Sequence, residues 1–220
     1  MRKTPDAMIF DVDGTLFQTE SILQYAYEQT FQLLREKGLY TGPVPPIEKM
    51  YQTLGMVIDD IWNELLPDVS DEVKDAASEA ILTYEIAGLK QGKGKLYPGV
   101  KETLEELAGK GIRLFVASNG LEPYVKEVVS ACGLAHLIEY AYSAGEFQTT
   151  SKSDLVRILL EEHQLTDAWM VGDRSSDIQA AKDNQLIAVG CDYARFKKEG
   201  ELDQADIMIK RFSDLLQYVE

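Results

Sequence analysis

Short apolar runs that end in polar residues recur along the chain. They are AMIF (7–10) before Asp11, IRLFVAS (112–118) ending at Ser118, LIEYAYSA (137–144), AWMVG (168–172) before Asp173, LIAVG (186–190) and ADIMI (205–209). Between most of them, apolar residues recur at the three- and four-residue spacing of an amphipathic helix, as in KSDLVRILLEEH and SSDIQAAKDN. VKETLEELAGKG and EPYVKEVVSACG each close on a glycine, the residue that ends helices in a left-handed cap. Strands that alternate with helices pair in parallel through crossovers. The pattern therefore predicts an α/β fold, a three-layer Rossmann-like core around a parallel sheet.

One region breaks the alternation. From Thr19 to Gln91 the periodicity is helical throughout, clearest at Ser21–Lys37 and Asp71–Lys90, with a proline cluster, GPVPP (42–46), between. GKGKLYPG (92–99) then returns the chain to the α/β pattern. The expected organisation is an α/β core from residues 1–18 and 93–220, with an all-helical cap, 19–92, inserted after the first strand. Such an insert sits over the carboxyl ends of the strands, where open parallel sheets bind their ligands.

Composition narrows the partners. Of the 220 residues, 45% are hydrophobic and 27% charged, ordinary for a globular chain with a sizeable core. Lys and Arg number 22 against 37 Asp and Glu, a net charge of −15, which repels nucleic acid and anionic membranes. Neither is an expected partner. No apolar run is long enough to span a bilayer, and the opening MRKTPDAMIFD turns acidic too soon for a signal peptide. Cys132 and Cys191 lie in apolar surroundings without CxxC spacing, so they read as small core residues in a reducing, cytoplasmic setting. Nothing in the pattern specifies an oligomeric state.

The chemistry gathers at the predicted strand ends. Asp11 and Asp13 follow the first strand, Ser118-Asn119 the second, and Asp173 with Asp177 follow AWMVG, while Lys152 opens a helix. Each has a plain reading: Asp13-Gly14 and Ser118-Asn119-Gly120 as turns, Lys152 as a solvated lysine, Asp177 as a helix cap. The fold, however, brings all of them to one rim. Four carboxylates there repel one another unless a hard cation shares them, most plausibly Mg²⁺. Such an ion is usually shared with a phosphate oxygen, to which Lys152 would add positive charge and Ser118 a hydroxyl donor. The DxD spacing also permits a division of labour, one aspartate attacking phosphorus and the other moving the proton. A small phosphorylated metabolite is the expected ligand.

FDVDGTLF, VASN, the lysine before a helix and VGDRSSD, in this order, resemble the haloacid dehalogenase-like hydrolase superfamily. The insert resembles its helical-cap members, such as phosphoglycolate phosphatase-like enzymes. DxDGT is the specific element, coinciding by chance at about one position in 10⁵. The resemblance implies Asp11 as nucleophile and Asp13 as general acid and base. It implies Ser118, Asn119 and Lys152 at the phosphoryl group, and Mg²⁺ on Asp11, Asp173 and the Asp13 carbonyl. Asp177, Gly14 and Thr15 support them, Asp177 by orienting Lys152 or metal-bound water. The chain departs from many relatives in following Lys152 with Ser153 where they carry proline. It also has no Lys or Arg from Tyr51 to Leu66, the stretch matching the family's specificity loop. Tyr51, Met56 and Val57 are candidate substrate contacts, with Trp62 assigned first to the cap core. The expected activity is Mg²⁺-dependent hydrolysis of a phosphate monoester through an aspartyl-phosphate. A β-phosphoglucomutase-type phosphomutase and a non-catalytic phospho-ligand binder are the alternatives.

Overall fold

The computed structural model describes residues 4–196 and 199–220. Six parallel strands form one sheet: β1 (Ala7–Phe10), β2 (Arg113–Ser118), β3 (Tyr140–Ser143), β4 (Ala168–Gly172), β5 (Ile187–Cys191) and β6 (Ile207–Ile209). Their spatial order is β3-β2-β1-β4-β5-β6, so β1 lies between β2 and β4. Strand β1 is buried on both faces, and its alternation divides it between two cores. Met8 and Phe10 join Trp169 and Val171 on one face, while Ala7 and Ile9 join Phe115 and Met170 on the other.

Helices α5 (Val100–Gly109) and α6 (Glu122–Ala131) and a 3₁₀ turn (Phe212–Gln217) cover the first face. Helices α8 (Lys152–His163) and α9 (Ser175–Asp183) cover the second. The predicted glycine caps form. Gly111 and Gly133 adopt φ of 83° and 70°, and the residue after each donates back to the preceding helix. The third predicted strand is shorter than its apolar run: residues 137–139 turn, and only Tyr140–Ser143 pairs with β2. After it comes the short α7 (Ala144–Phe147).

Between β1 and α5 the chain builds four helices: α1 (Glu20–Glu36), α2 (Ile47–Thr53), α3 (Ile58–Leu65) and α4 (Asp71–Lys90). Leu23, Tyr27, Phe31 and Leu34 make a buried stripe along α1 that faces Ala77 and Ile81 of α4. Trp62 is fully buried in this cluster, edge-on to Phe31 at 6.3 Å. Ile22 and Leu89, near the ends of α1 and α4, belong to the core beneath the sheet, so the two bodies share apolar contacts. The outgoing and returning chain segments meet at a bridge between Phe17 and Leu96, with Gln18 N–H donating to the Lys95 carbonyl at 2.8 Å.

Because Trp62 fills the centre of the helical cluster, Trp62→Ala should cost about 3–5 kcal/mol. Urea denaturation followed by circular dichroism measures this as a lowered midpoint.

Candidate active site

Residues at the carboxyl ends of β1, β2 and β4 converge with the first residue of α8. Asp11 follows β1, its N–H still donating to the Val171 carbonyl at 2.9 Å, so its backbone continues the sheet register. Lys152 is buried and its Nζ donates to Asp11 Oδ1 and to Asp177 Oδ1, both at 2.6 Å. No proline follows it. The start of α8 is fixed instead by Ser151, whose Oγ accepts from the Asp154 N–H at 3.1 Å. Ser153 is engaged elsewhere, its hydroxyl donating to Asp183 at 2.6 Å.

Asp177 unites its two readings. One oxygen takes the Lys152 ammonium, and the other accepts the Arg174 N–H at 2.9 Å as an N-terminal cap of α9. Asp173 receives the Thr15 hydroxyl at 3.3 Å and faces the Arg174 guanidinium at 3.5 Å. Glycines make this crowding possible. A Cβ on Gly14, where φ is 82°, would lie 2.3 Å from Asp173 Oδ2, and one on Gly172 would lie 2.1 Å from Asp177 Cγ.

Carboxylate oxygens of Asp11, Asp173 and Asp177 lie within 4.8 Å of one another. Asp11 Oδ2 is buried and has no hydrogen-bond partner. Three buried carboxylates this close together are a donor set that suits a hard divalent cation. The electrostatics agree. Burial pushes the Asp11 carboxyl up to about 7 against the pull of Lys152, and pushes Asp173 well above its ordinary value with help from Asp11 and Asp177. Burial also works against the Lys152 charge, but Asp11 and Asp177 outweigh it and hold the ammonium above its usual range.

Asp13 is set apart from this cluster. Its Oδ1 accepts the Thr19 hydroxyl at 2.5 Å and the Tyr124 phenol at 2.6 Å, and burial raises its pKa. Sequence reasoning missed both donors. Thr19 looks like a helix cap, yet its hydroxyl makes no cap bond. Tyr124 comes from a helix 111 positions away, and no local pattern could connect it to Asp13.

Ser118 is buried at the end of β2, its Oγ accepting from the Gly120 N–H at 3.1 Å. Asn119 lines the same cavity as Asp11 and Ser118 and also ties the strand end to the inserted helices. Its Nδ2 donates 2.7 Å to the Gly55 carbonyl between α2 and α3. Arg174 reaches the same helices through the Tyr51 carbonyl at 3.4 Å and pairs with Glu201 at 3.1 Å.

A cavity of about 70 Å³ opens over Asp11, Asp13 and Ser118, roofed by the inserted helices. Of the candidate contacts from those helices, Met56 lines it, but Val57, Tyr51 and Trp62 do not. Tyr51 stacks instead on Phe196 of the core at 4.1 Å, and Trp62 serves packing alone. Glu85 of α4, unmarked in the sequence, does line the cavity. Burial, with a lesser push from Asp13, raises its carboxyl to about 8.

The raised Asp11 and Asp173 values carry a pH consequence. The folded chain keeps protons that the unfolded chain releases near pH 4, so between about pH 4 and 7 the native state binds more of them. Stability of the metal-free protein should therefore fall as pH rises through that window, by up to about 1.4 kcal/mol per pH unit for each group. Thermal melts in chelator test this: Tm should drop with rising pH, Asp11→Asn should flatten the slope, and added Mg²⁺ should raise Tm more at the alkaline end.

Comparison with known proteins agrees with the geometry. A phosphoglycolate phosphatase of Vibrio vulnificus is 29% identical over 195 residues, covering 84% of this chain and 82% of the relative. The pyrophosphatase PpaX of Listeria monocytogenes is 24% identical over 217 residues, 96% and 95% of the two chains. Among solved structures, CbbY of Rhodobacter sphaeroides in complex with phosphate superposes with a TM-score of 0.79 at 23% identity, over 96% of each chain. The sequence pattern of the haloacid dehalogenase-like hydrolases matches residues 5–184, which cover the paired aspartates, the buried lysine and the second acidic pair, and the chain belongs to that family.

Proposed function

We propose that the protein is a Mg²⁺-dependent phosphomonoesterase working through an aspartyl-phosphate on Asp11. The observation that carries this reading is Asp11 itself. Lys152 holds one of its oxygens at 2.6 Å, the other is buried without a hydrogen-bond partner, and Asp11 lines the same cavity as Ser118. That free oxygen is the nucleophile. It forms a bond to phosphorus as the bond to the ester oxygen breaks, and the departing alkoxide takes a proton from Asp13. Thr19 and Tyr124 both donate to Asp13 Oδ1, which leaves Oδ2 to carry that proton. Asp13 then removes a proton from water as the water attacks phosphorus, releasing inorganic phosphate and freeing Asp11.

Lys152 and the Ser118 hydroxyl bind the phosphoryl oxygens, and Asp177 keeps Lys152 aimed. Asp11, Asp173 and the Asp13 carbonyl would hold the Mg²⁺. When bound, it neutralises the crowded carboxylates and the phosphoryl charge. The helical insert covers this site and keeps bulk water from the intermediate. Among the described residues no Lys or Arg lines the cavity beside Met56 and Glu85, where the body of the substrate would sit, while Arg174 and Arg195 line the adjoining recess beside Asp13.

Phosphate release should require Mg²⁺ across a panel of small phosphate esters, phosphoglycolate included. Asp11→Asn should abolish it, and Asp13→Asn should lower kcat by about 10²–10⁴-fold. Turnover that survives in Asp11→Asn would sink the assignment.

A further inference from the structure

The cavity has two chemically different sides. Asp11, Asp13 and Ser118 make one polar end, where the phosphoryl group binds under the reading above. The insert supplies the opposite walls, and these are mostly apolar: Leu23, Met50, Met56, Ile61 and Ile81 line them. Glu85 is the single ionisable side chain that the inserted helices contribute to this lining among the described residues. It projects from α4 within electrostatic reach of Asp13, and no hydrogen bond or ion pair holds it among the described residues.

A carboxyl at an apolar wall is costly without a donor. Among the described residues no side chain donates to it, and burial keeps the carboxyl protonated, so a cationic group on the bound molecule is the complement that would ionise it. Resting on the phosphomonoesterase reading, we propose that Glu85 selects the alcohol portion of the substrate. The substrate class is a small phosphomonoester whose short apolar body carries an amino group. The ammonium would pair with Glu85 in a charge-assisted hydrogen bond. A substrate with a second acidic group would set a like charge against Glu85, with no cation in the lining to offset it. The cavity, about 70 Å³, holds only a few waters' worth of atoms, so the body between phosphate and amine is short.

The test separates this claim from the phosphatase reading by measuring binding as well as turnover. Isothermal titration of Asp11→Asn with Mg²⁺ present would compare aminopropyl phosphate with carboxyethyl phosphate. The amino ester should bind tighter by about tenfold or more, the scale of a hydrogen bond to a charged group. Adding Glu85→Gln, which keeps the side-chain shape, should erase most of that preference, and Glu85→Lys should invert it. Equal affinities in Asp11→Asn, or a preference that neither substitution moves, would overturn the proposal. Should Glu85→Lys fail to fold, the glutamine variant alone decides. Absence of Mg²⁺-dependent phosphate release by the unmodified protein would instead count against the phosphatase reading, while the affinity ratio still judges Glu85.

Discussion

Three carboxylates, Asp11, Asp173 and Asp177, are held with oxygens within 4.8 Å of one another in a setting almost closed to water. Unrelieved, such crowding would expel the strand ends into solvent. One ammonium, that of Lys152, bridges Asp11 and Asp177, and much of the nearby architecture serves to place it. Ser151 starts its helix, and Gly14 and Gly172 give up side chains so that Asp173 and Asp177 can come close. The sheet offsets the cost. Strand β1 is buried on both faces, and Asp11 extends its register into the site. A negative imbalance remains, visible in the raised Asp11 and Asp173 values, and a bound cation would relieve it.

The helical insert belongs to the same arrangement. Thr19, just before α1, bonds Asp13, so the chain enters the insert directly from the site. Asn119 grips Gly55 and Arg174 grips the Tyr51 carbonyl, while Tyr51 stacks on Phe196. These contacts join the loops at the strand ends to the tip of α2 and the turn beyond it. The left-handed φ of 93° at Gly55 suits this approach, because a side chain there would press on Arg174 at 3.0 Å. Seating the insert thus completes the cavity and brings Glu85 into its lining, within electrostatic reach of Asp13.

Most of the fold was legible along the chain, for a simple reason. A strand buried between two helical layers must be apolar at every position, and AMIF and AWMVG announce themselves that way. Glycines at 111 and 133 marked helix ends because a left-handed residue is required there. The run at 137–144 overstated its strand, since Leu137 and Ile138 are apolar for packing in a turn and not for pairing. DxDGT and GDRSSD exposed the aspartates, because their chemistry demands fixed residue types at short spacing.

The sequence by itself determined the alternation of elements, the helical insert and the reactive carboxylates, all properties set by neighbours in the chain. Only the tertiary structure decided the partners. It gave Asp13 its donors Thr19 and Tyr124, bonded the Asn119 amide to Gly55, removed Tyr51, Val57 and Trp62 from the cavity lining, and put Glu85 there. Glutamate on an amphipathic helix looks the same whether it meets water or a substrate. Which it meets depends on the helix's rotation about its axis and on what lies across from it, and both are fixed by packing between segments far apart in the chain.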